Sequence, residues 1–491
     1  MAPNPIATHF VSVRSPSQRA TLVFRGGLSC VRESALHVAS VDRLVSGGLT
    51  PPRMPGESLL SGHAGAFGES ALAFYAKCEQ QGGLVEIRIW HKTAYVATDP
   101  LLIDEILRKK HDHFVKPLGL QVLRAAFGQG LLTAEHDTWV LNRRMIQPAF
   151  QSHKLGGYAE VAYRLARQRF GRFKDRTVVN VSREMAELCM SILMQTLFGD
   201  SEREGEALIF ELTKAVQAFT LDYSRFGFPP FPHLLPTWSN VRFRRAVRDI
   251  DRWLYALIAR RRRTSARDDL LGLMMNARDP KGVELSDRQL RDETVTIFLA
   301  GHETVSAALS WTLQLLAMHP SAQERLVVEI DNKEALPPSS ELPFLEAVVD
   351  EGLRLYPPVY RIGRLAIRDC SVGPFLIPKG ANVLMPQWAV QRSPRYFDSP
   401  DAFRPERWDD TMRRDLPRFA FFPFGGGMRV CPGAGLSVRE EASVLQAFFE
   451  RARVEPLRSK APEPFQGLTL TPPDGNLELL VAPREARLSS G

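Results

Sequence analysis

The feature that most constrains the fold of this chain is the stretch Phe422 to Gly435, FPFGGGMRVCPGAG, which places one cysteine in a glycine-rich loop. Three consecutive glycines allow a sharp turn and a close approach of the backbone to a flat object. Free backbone N–H groups in such a loop, together with the N-terminal end of a following helix, stabilise a thiolate at Cys431. We therefore predict a helix that begins after Gly433 and a thiolate held at its start.

The residues around this cysteine indicate what the thiolate binds. Phe424 can stack against a flat group, and Arg429 can reach an anionic group beside it. These features together suit a thiolate bonded to heme iron. The pattern Phe424-x-x-Gly427-x-Arg429-x-Cys431-x-Gly433 resembles the heme-binding signature of the cytochrome P450 family. The resemblance implies that Cys431 is the axial iron ligand of a heme b cofactor, which Phe424 and Arg429 also contact.

The folded part is predicted to be one large domain, residues 54–491, that is mainly α with small β-sheets. Of the 491 residues, 44% are hydrophobic and 24% are charged, which is enough for a packed core. Residues 84–98 have the pattern of a β-hairpin, and residues 286–319 predict the longest helix, with capping-box spacing at its start. The resemblance to the cytochromes P450 covers residues 51–485 and implies their fold.

Residues 1–53 are predicted to lie outside this domain. They hold six arginines against the acidic residues Glu33 and Asp42, and their composition is similar to that of a transit peptide. A disordered extension and a start of the protein at Met54 are the alternatives. We expect a cytoplasmic location, or import into an organelle if the segment is a transit peptide.

Charge and cysteine content exclude several classes of protein. The net charge is +8, but the one dense basic run, Arg260 to Arg263, has no interleaved aromatic residues, so no nucleic acid is expected as a partner. The five cysteines are odd in number and far apart, which excludes a disulfide scaffold. The chain has no apolar run of about 18 residues or more, so no transmembrane anchor is predicted.

A second motif, AGHET at residues 300–304, lies in the middle of the predicted long helix. Thr304 can donate back to the carbonyl of Ala300, and Gly301 weakens the helix by about 1 kcal/mol relative to alanine. In the family this helix crosses the distal face of the heme. The resemblance implies that Glu303 and Thr304 are the catalytic residues, an acid–alcohol pair that relays protons to bound dioxygen.

Glu351 and Arg354 have the i, i+3 spacing that places both on one helix face. As an exposed ion pair they would contribute little to stability. In the family the pair is buried and joined by an arginine from a later loop, which Arg407 in FRPERW matches. The resemblance implies a structural role for these three residues.

Further residues are expected to bind the cofactor. Trp139 and Arg143 lie one helical turn apart, and in the family both face a heme propionate. Arg364 lies where the family often places another propionate-binding arginine. From the residues alone, each would be an ordinary member of an amphipathic helix or strand.

The resemblance implies a heme-thiolate monooxygenase that inserts one oxygen atom from O2 into a hydrophobic small molecule. The segment after Cys431 is too short for a flavin or iron–sulfur domain. Electrons are therefore expected from a separate ferredoxin or flavodoxin, served by its NAD(P)H reductase. Such carriers are acidic, and a group of arginines near the cysteine loop is predicted to dock them. They are Arg413, Arg414, Arg418, Arg429 and Arg439.

The substrate pocket is expected, by the same resemblance, to be lined by Leu131, Leu132, Ala300, Thr304 and Val359. Apart from one hydroxyl these side chains are apolar. They indicate a terpenoid, a fatty acid, a carotenoid or a polyketide, as in the hydroxylation steps of secondary metabolism.

Three alternatives keep the heme but change the function. A heme-thiolate isomerase or dehydratase would need no proton relay, and a non-catalytic heme-binding sensor would need no oxygen-activating groove. The presence of Glu303 and Thr304 argues against both. The third alternative is a hydroxylase that uses peroxide, which an NADPH-driven assay compared with peroxide alone would separate.

Overall fold

The computed structural model describes residues 49–199, 203–225, 237–264, 269–279, 281–332 and 342–484. The part of the predicted extension from residue 1 to residue 48 lies outside these ranges. Residues 49–53 belong to the folded unit, since Leu49 N–H donates to the Pro374 carbonyl at 2.7 Å and the Pro52 carbonyl accepts from Glu86 N–H at 2.8 Å.

The described chain is mainly helical, as the sequence predicts. Its α-helices are α1 (Ala64–Glu69), α2 (Ala71–Gln81), α3 (Pro100–Asp104), α4 (Leu118–Gln121), α5 (Arg124–Phe127), α6 (His136–Ile146), α7 (Ser152–Phe170), α8 (Val181–Phe198), α9 (Arg203–Arg225), α10 (Trp238–Arg262), α11 (Leu270–Asn276), α12 (Asp287–Met318), α13 (Pro320–Asn332), α14 (Pro343–Leu355), α15 (Gln387–Val390), α16 (Asp410–Asp415) and α17 (Ala434–Phe449). A π-helical turn covers Glu105–Lys109, and short 3-10 turns cover His111–His113, Gln147–Phe150, Pro405–Arg407, Gly427–Arg429 and Pro473–Gly475.

The strands form small sheets, also as predicted. They are β1 (Leu84–Ile89), β2 (Lys92–Ala97), β3 (Phe114–Val115), β4 (Thr177–Asn180), β5 (Ile362–Ala366), β6 (Cys370–Val372), β7 (Phe375–Ile377), β8 (Asn382–Met385), β9 (Ala452–Pro456), β10 (Phe465–Gln466), β11 (Leu470–Thr471) and β12 (Glu478–Pro483). The largest sheet has the order β1-β2-β8-β5-β3, and the hairpin of β1 and β2 pairs Leu84 with Ala97. A second sheet has the order β4-β12-β9.

The long helix α12 organises the core. Ser286 and Gln289 form the predicted capping box at its start, which satisfies backbone N–H groups that the first turn leaves free. Its N-terminal half packs into one apolar cluster through Leu290 and Phe298, together with residues of α9, α10 and α11. Its C-terminal half packs into another through Leu309, with residues of α7, α8, α14 and α17. A helix buried on most sides can place an internal site between these clusters.

One predicted helix is shorter than its sequence pattern indicates. Residues 100–110 have the pattern of one continuous helix capped by Asp99, and Asp99 does accept from Leu101 N–H at 2.7 Å. The α-helix ends at Asp104, however, and a wider π turn follows. This turn brings the Leu107 carbonyl against the cysteine loop at Gly427, a tertiary contact that local propensity cannot report.

Candidate active site

The cysteine loop is closed by its own backbone. Cys431 N–H donates to the Phe424 carbonyl at 3.0 Å, and Gly425 N–H donates to the Phe422 carbonyl at 2.8 Å. Gly427 has φ +67°, and a Cβ at this position would lie 1.9 Å from the Leu107 oxygen. Helix α17 begins at Ala434, as predicted, so the loop presents the cysteine directly before a helix start.

Gly427→Ala is expected to destabilise this loop because the new methyl group meets backbone atoms that cannot move aside. Gly380→Ala is the matched control, since Gly380 has φ +85° but a methyl group added there would enter open space. The free energy of unfolding should fall by about 1 kcal/mol in the control, from the positive φ alone. It should fall several times more in Gly427→Ala. Urea unfolding measures both, and equal losses would contradict the contact with Leu107.

The Cys431 thiol is accessible, although protein atoms surround it closely. Burial raises the pKa of the Cys431 thiol, while the Gly433 N–H and the Arg143 guanidinium act to lower it. Arg143 is held beside the loop because its Nη1 donates to the Val430 carbonyl at 2.8 Å. These two groups are the electrostatic support that a thiolate requires.

A cluster of cations lies next to the loop. Arg429 donates to the Ala134 carbonyl at 2.9 Å and to the Glu135 carboxylate. Burial, and then the charge of Arg429, lower the pKa of Arg364 to about 10. Burial, and then Arg429, also hold the pKa of Lys116 well below its ordinary value. The Arg429 and Arg364 guanidinium groups and the Lys116 amine thus lie close together, with the carboxylate of Glu135 among them and a weaker influence of Glu293 on Lys116. This crowding of basic groups is the arrangement expected of a site for an anionic group.

The predicted propionate residues therefore converge in part. Arg429 and Arg364 share this cluster, and the Arg429 guanidinium lies 4.7 Å from the centre of the Trp139 ring. Lys116 is a further member that the sequence did not identify, and it is fixed by donating to the Leu131 carbonyl at 2.9 Å. No motif surrounds Lys116 in the sequence, so only the fold brings it to the cluster. The two carboxylates of heme would fit this excess of positive charge.

The middle of α12 is the accessible part of a mostly buried helix. Ala300 is exposed, and Gly301, Glu303 and Thr304 are half-buried. Thr304 Oγ1 donates to the Ala300 carbonyl at 2.7 Å, as predicted. The Glu303 carboxylate accepts instead from Gln217 Nε2 at 2.7 Å. The predicted acid–alcohol pair thus points in two directions, because adjacent side chains on a helix diverge by about 100°.

The expected structural pair is buried and highly connected. Arg354 donates twice to Glu351, with both distances 2.8 Å, and both side chains are fully buried. Arg407 Nε and Trp408 Nε1 also donate to Glu351, at 3.0 and 2.9 Å. Burial acts to raise the pKa of Glu351, but the hydrogen bonds and charge of Arg354 outweigh it and lower that pKa. This network fixes the segment that leads into the cysteine loop.

The expected pocket residues outside α12 differ in burial and in the clusters to which they belong. Leu131 is buried with Ala134 and Trp139 in one small cluster. Leu132 is half-buried against the cluster of α9, α10 and α12. Val359 is half-buried in the segment after α14. Their place in a substrate pocket stays a prediction.

Glu293 is a second residue that the sequence did not identify. It is buried in α12, and its Oε2 accepts from Leu131 N–H at 3.0 Å. Within the described chain its Oε1 has no partner, and neither has the oxygen of Asn142. Burial, partly opposed by the Leu131 N–H, raises the pKa of Glu293 to about 8. A neutral carboxyl therefore holds the loop before α6 at neutral pH.

Glu293→Gln is expected to flatten the pH dependence of stability. The folded pKa of about 8 exceeds the ordinary 4.5, so the folded state binds the proton more tightly and loses stability as pH rises from 4.5 to 8. Across this range the ionisation of Glu293 lowers the free energy of unfolding by roughly 5 kcal/mol. Urea unfolding from pH 5 to pH 9 should show a smaller slope in the variant, whereas the exposed control Glu346→Gln should match the wild type. If the free energy of unfolding changed with pH equally in Glu293→Gln and in the wild type, the predicted contribution of Glu293 would be refuted.

An accessible thiol before a helix, a cluster of basic groups beside it and a central helix that is accessible at its middle are typical of the heme-thiolate oxidoreductases. A family model described as Cytochrome P450 matches residues 52–479. The chain therefore belongs to the cytochrome P450 family, whose fold it has and whose cysteine thiolate binds heme iron. It is an oxidoreductase of the monooxygenase type. None of the described helices combines the length and apolar character needed to cross a bilayer.

Known proteins resemble the chain over most of its length. Cyclooctat-9-en-7-ol 5-monooxygenase from Streptomyces melanosporofaciens is 31% identical over 412 residues, which cover 82% of this chain and 89% of that protein. Pentalenene oxygenase from Streptomyces avermitilis is 32% identical over 416 residues, covering 82% and 91%. The solved structure of the cytochrome P450DA heme domain superposes with a TM-score of 0.78 at 25% identity, covering 89% of this chain and 99% of that one.

Proposed function

We propose that this monooxygenase oxidises a terpenoid. The observation that carries the proposal is the exposed Ala300, with half-buried Thr304, in an otherwise buried helix. On this surface Ala300 and Gly301 are small and apolar, Thr304 offers one hydroxyl and the Glu303 carboxylate is already bound by Gln217, which suits a hydrocarbon skeleton better than an anionic substrate. The relatives named for cyclooctat-9-en-7-ol and pentalenene support a cyclic terpenoid over a fatty acid, a carotenoid or a polyketide.

Each candidate residue would have a separate part in the reaction. Heme, when bound, supplies the activation of O2. Cys431 would bind its iron, while Arg429, Arg364 and Lys116 would hold its carboxylates. Thr304, whose proton rests on the Ala300 carbonyl, would turn to donate towards the oxygen site. Phe424, Trp139 and Arg143 would orient the cofactor from the sides of the loop.

The substrate proposal is tested by turnover with cyclic terpenes and terpene alcohols. Purified protein, a surrogate ferredoxin, its reductase and NADPH should give oxygenated terpenoids, and a matched set of fatty acids should give none. Oxidation of the fatty acids alone would reject the terpenoid assignment. Hydrogen peroxide without NADPH is included, and full activity with peroxide alone would favour the peroxide-using alternative.

We also propose that electrons come from an acidic ferredoxin or flavodoxin that docks beside the cysteine loop. Arg413 and Arg414 are exposed but pair with Asp350 and Asp415. Arg429 does not belong to such a face, because it is turned inward to Glu135. Two exposed arginines are better candidates, since within the described ranges no ion pair involves either of them. They are Arg418, before the loop, and Arg439, on α17.

The double variant Arg418→Glu, Arg439→Glu is expected to slow reduction by the ferredoxin about tenfold or more at low salt. Opposite charges steer association, and reversal replaces attraction with repulsion. Stopped-flow reduction measures the rate, and the heme spectrum should stay unchanged. Arg244→Glu, Arg248→Glu on α10 is the matched control, with both residues exposed. An unchanged rate in the first variant would reject this docking face.

The cytoplasmic location and the role of residues 1–53 as an extension or transit segment remain predictions of the sequence.

A further inference from the structure

The Glu303 carboxylate joins three separate parts of the fold. Its Oε1 accepts one hydrogen bond from Gln217 Nε2 at 2.7 Å and a second from the hydroxyl of Thr469. Gln217 lies on α9, and Thr469 lies in the turn between β10 and β11. A single oxygen of the AGHET motif therefore connects the long helix with both of these elements.

The two donors are held differently. Thr469 is buried in a turn whose backbone is fixed, since Leu470 N–H donates to the Pro358 carbonyl at 2.8 Å and Trp311 Nε1 donates to the Leu470 carbonyl at 3.0 Å. Gln217 is carried by α9, and its position follows that helix. The Thr469 hydroxyl is thus the fixed donor, and the Gln217 amide is the donor that depends on where α9 lies.

A neighbouring contact links α9 to the same motif. The ring of Phe210 on α9 meets the ring of buried His302 edge to face, with the centres 5.8 Å apart. His302 and Glu303 therefore both contact α9 from adjacent positions of α12. Hydrogen bonds to a carboxylate are stronger than those between neutral groups, so Gln217 and Thr469 fix the carboxylate direction.

We propose that Gln217 and Thr469 are positioning residues for Glu303, which they hold turned away from Thr304 when α9 lies as in this structure. A displacement of α9 removes the Gln217 donor and leaves Thr469 as the pivot. A Glu303 carboxylate that takes up a proton from solvent can then rotate towards Thr304 and donate that proton to the hydroxyl oxygen, while the hydroxyl gives up its own proton towards the oxygen site. Proton delivery thereby depends on the position of α9. The catalytic consequence of this inference rests on the monooxygenase function. The hydrogen bonds from Gln217 and Thr469 to Glu303 do not depend on that function.

Turnover of the heme-loaded enzyme tests whether proton delivery depends on Gln217 and Thr469. Gln217→Leu and Thr469→Val are expected to change the product formed per NADPH at least about threefold and to shift its pH profile, with little change in KM, because a positioned acid contributes about 10²–10⁴-fold. Thr469→Ser keeps the hydroxyl and should restore wild-type values. Thr220→Val on α9 is the control, since its hydroxyl donates to the Val216 carbonyl.

Hydrogen–deuterium exchange of the full chain tests the contact without turnover. Glu303→Ala should speed exchange in residues 213–221 and 465–471 together, severalfold in each. Gln217→Leu should speed it only in the first segment and Thr469→Val only in the second, while Thr304→Ala should change neither.

The two proposals fail in different ways. An inactive wild type rejects the terpenoid function, and the exchange pattern then decides this inference alone. An active wild type with unchanged product per NADPH and pH profile in both variants overturns the inference, and so does unchanged exchange in Glu303→Ala. Changes in both experiments support it.

Discussion

Cys431→Ser is expected to abolish oxygenase activity and the Soret band that the carbon monoxide complex of a thiolate-bound heme gives. An alcohol does not ionise near neutral pH and cannot replace a thiolate as donor to iron. The fold should be kept within about 1 kcal/mol, since the substitution is small and the thiol is accessible. The reduced, heme-loaded protein is mixed with carbon monoxide, and its absorption spectrum is recorded.

Cys370→Ser is the matched control for this experiment. Cys370 is also a free cysteine, but it is buried on β6, and its sulfur donates a hydrogen bond to the Ser371 carbonyl. This variant should keep the thiolate-type band. A thiolate-type band in Cys431→Ser, or its loss in Cys370→Ser with intact heme content, would show that Cys431 is not the axial ligand.

Glu351→Ala is expected to cost the folded protein about 3–5 kcal/mol, because it leaves the cations of Arg354 and Arg407 buried without their shared anion. That is a large part of the roughly 5–15 kcal/mol that stabilises a typical domain. The indole N–H of Trp408 would lose its acceptor as well. Urea unfolding followed by circular dichroism gives the free energy of unfolding.

Glu346→Gln provides the reference on the same helix. Glu346 lies on α14 but is exposed, so its change should stay within about 0.5 kcal/mol. If Glu351→Ala lost no more than this control, the buried network would not stabilise the fold. A loss confined to activity, with normal unfolding, would instead give Glu351 a role that the geometry does not indicate.

Local chemistry allowed much of the fold to be predicted. The capping box of Ser286 and Gln289 and the helix start after Gly433 depend on residues three or four positions apart, so the sequence displays them directly. The thiolate loop is of the same kind, because its glycines, arginine and cysteine lie within a few residues. The i, i+3 spacing of Glu351 and Arg354 gave their common helix face, and the resemblance gave their burial.

Contacts between distant segments could not be predicted in this way. Lys116 joins the cationic cluster, and Glu293 supports the loop before α6, without any motif around either residue. The π turn after α3 likewise places Leu107 against Gly427, more than 300 residues later. The predicted partnership of Glu303 with Thr304 shows the same limit, since Gln217 and Thr469 are the residues that bind the carboxylate.

The sequence by itself therefore determined the thiolate loop around Cys431 and the long helix that carries AGHET, because each depends on side chains close together along the chain. The class of reaction was implied by the resemblance of these motifs to the cytochromes P450. Only the tertiary structure decided which cations gather around Glu135, how buried Glu293 is and where the Glu303 carboxylate points. Those properties depend on burial and on charges brought together by folding, and both are set by the packing of segments that lie far apart in sequence.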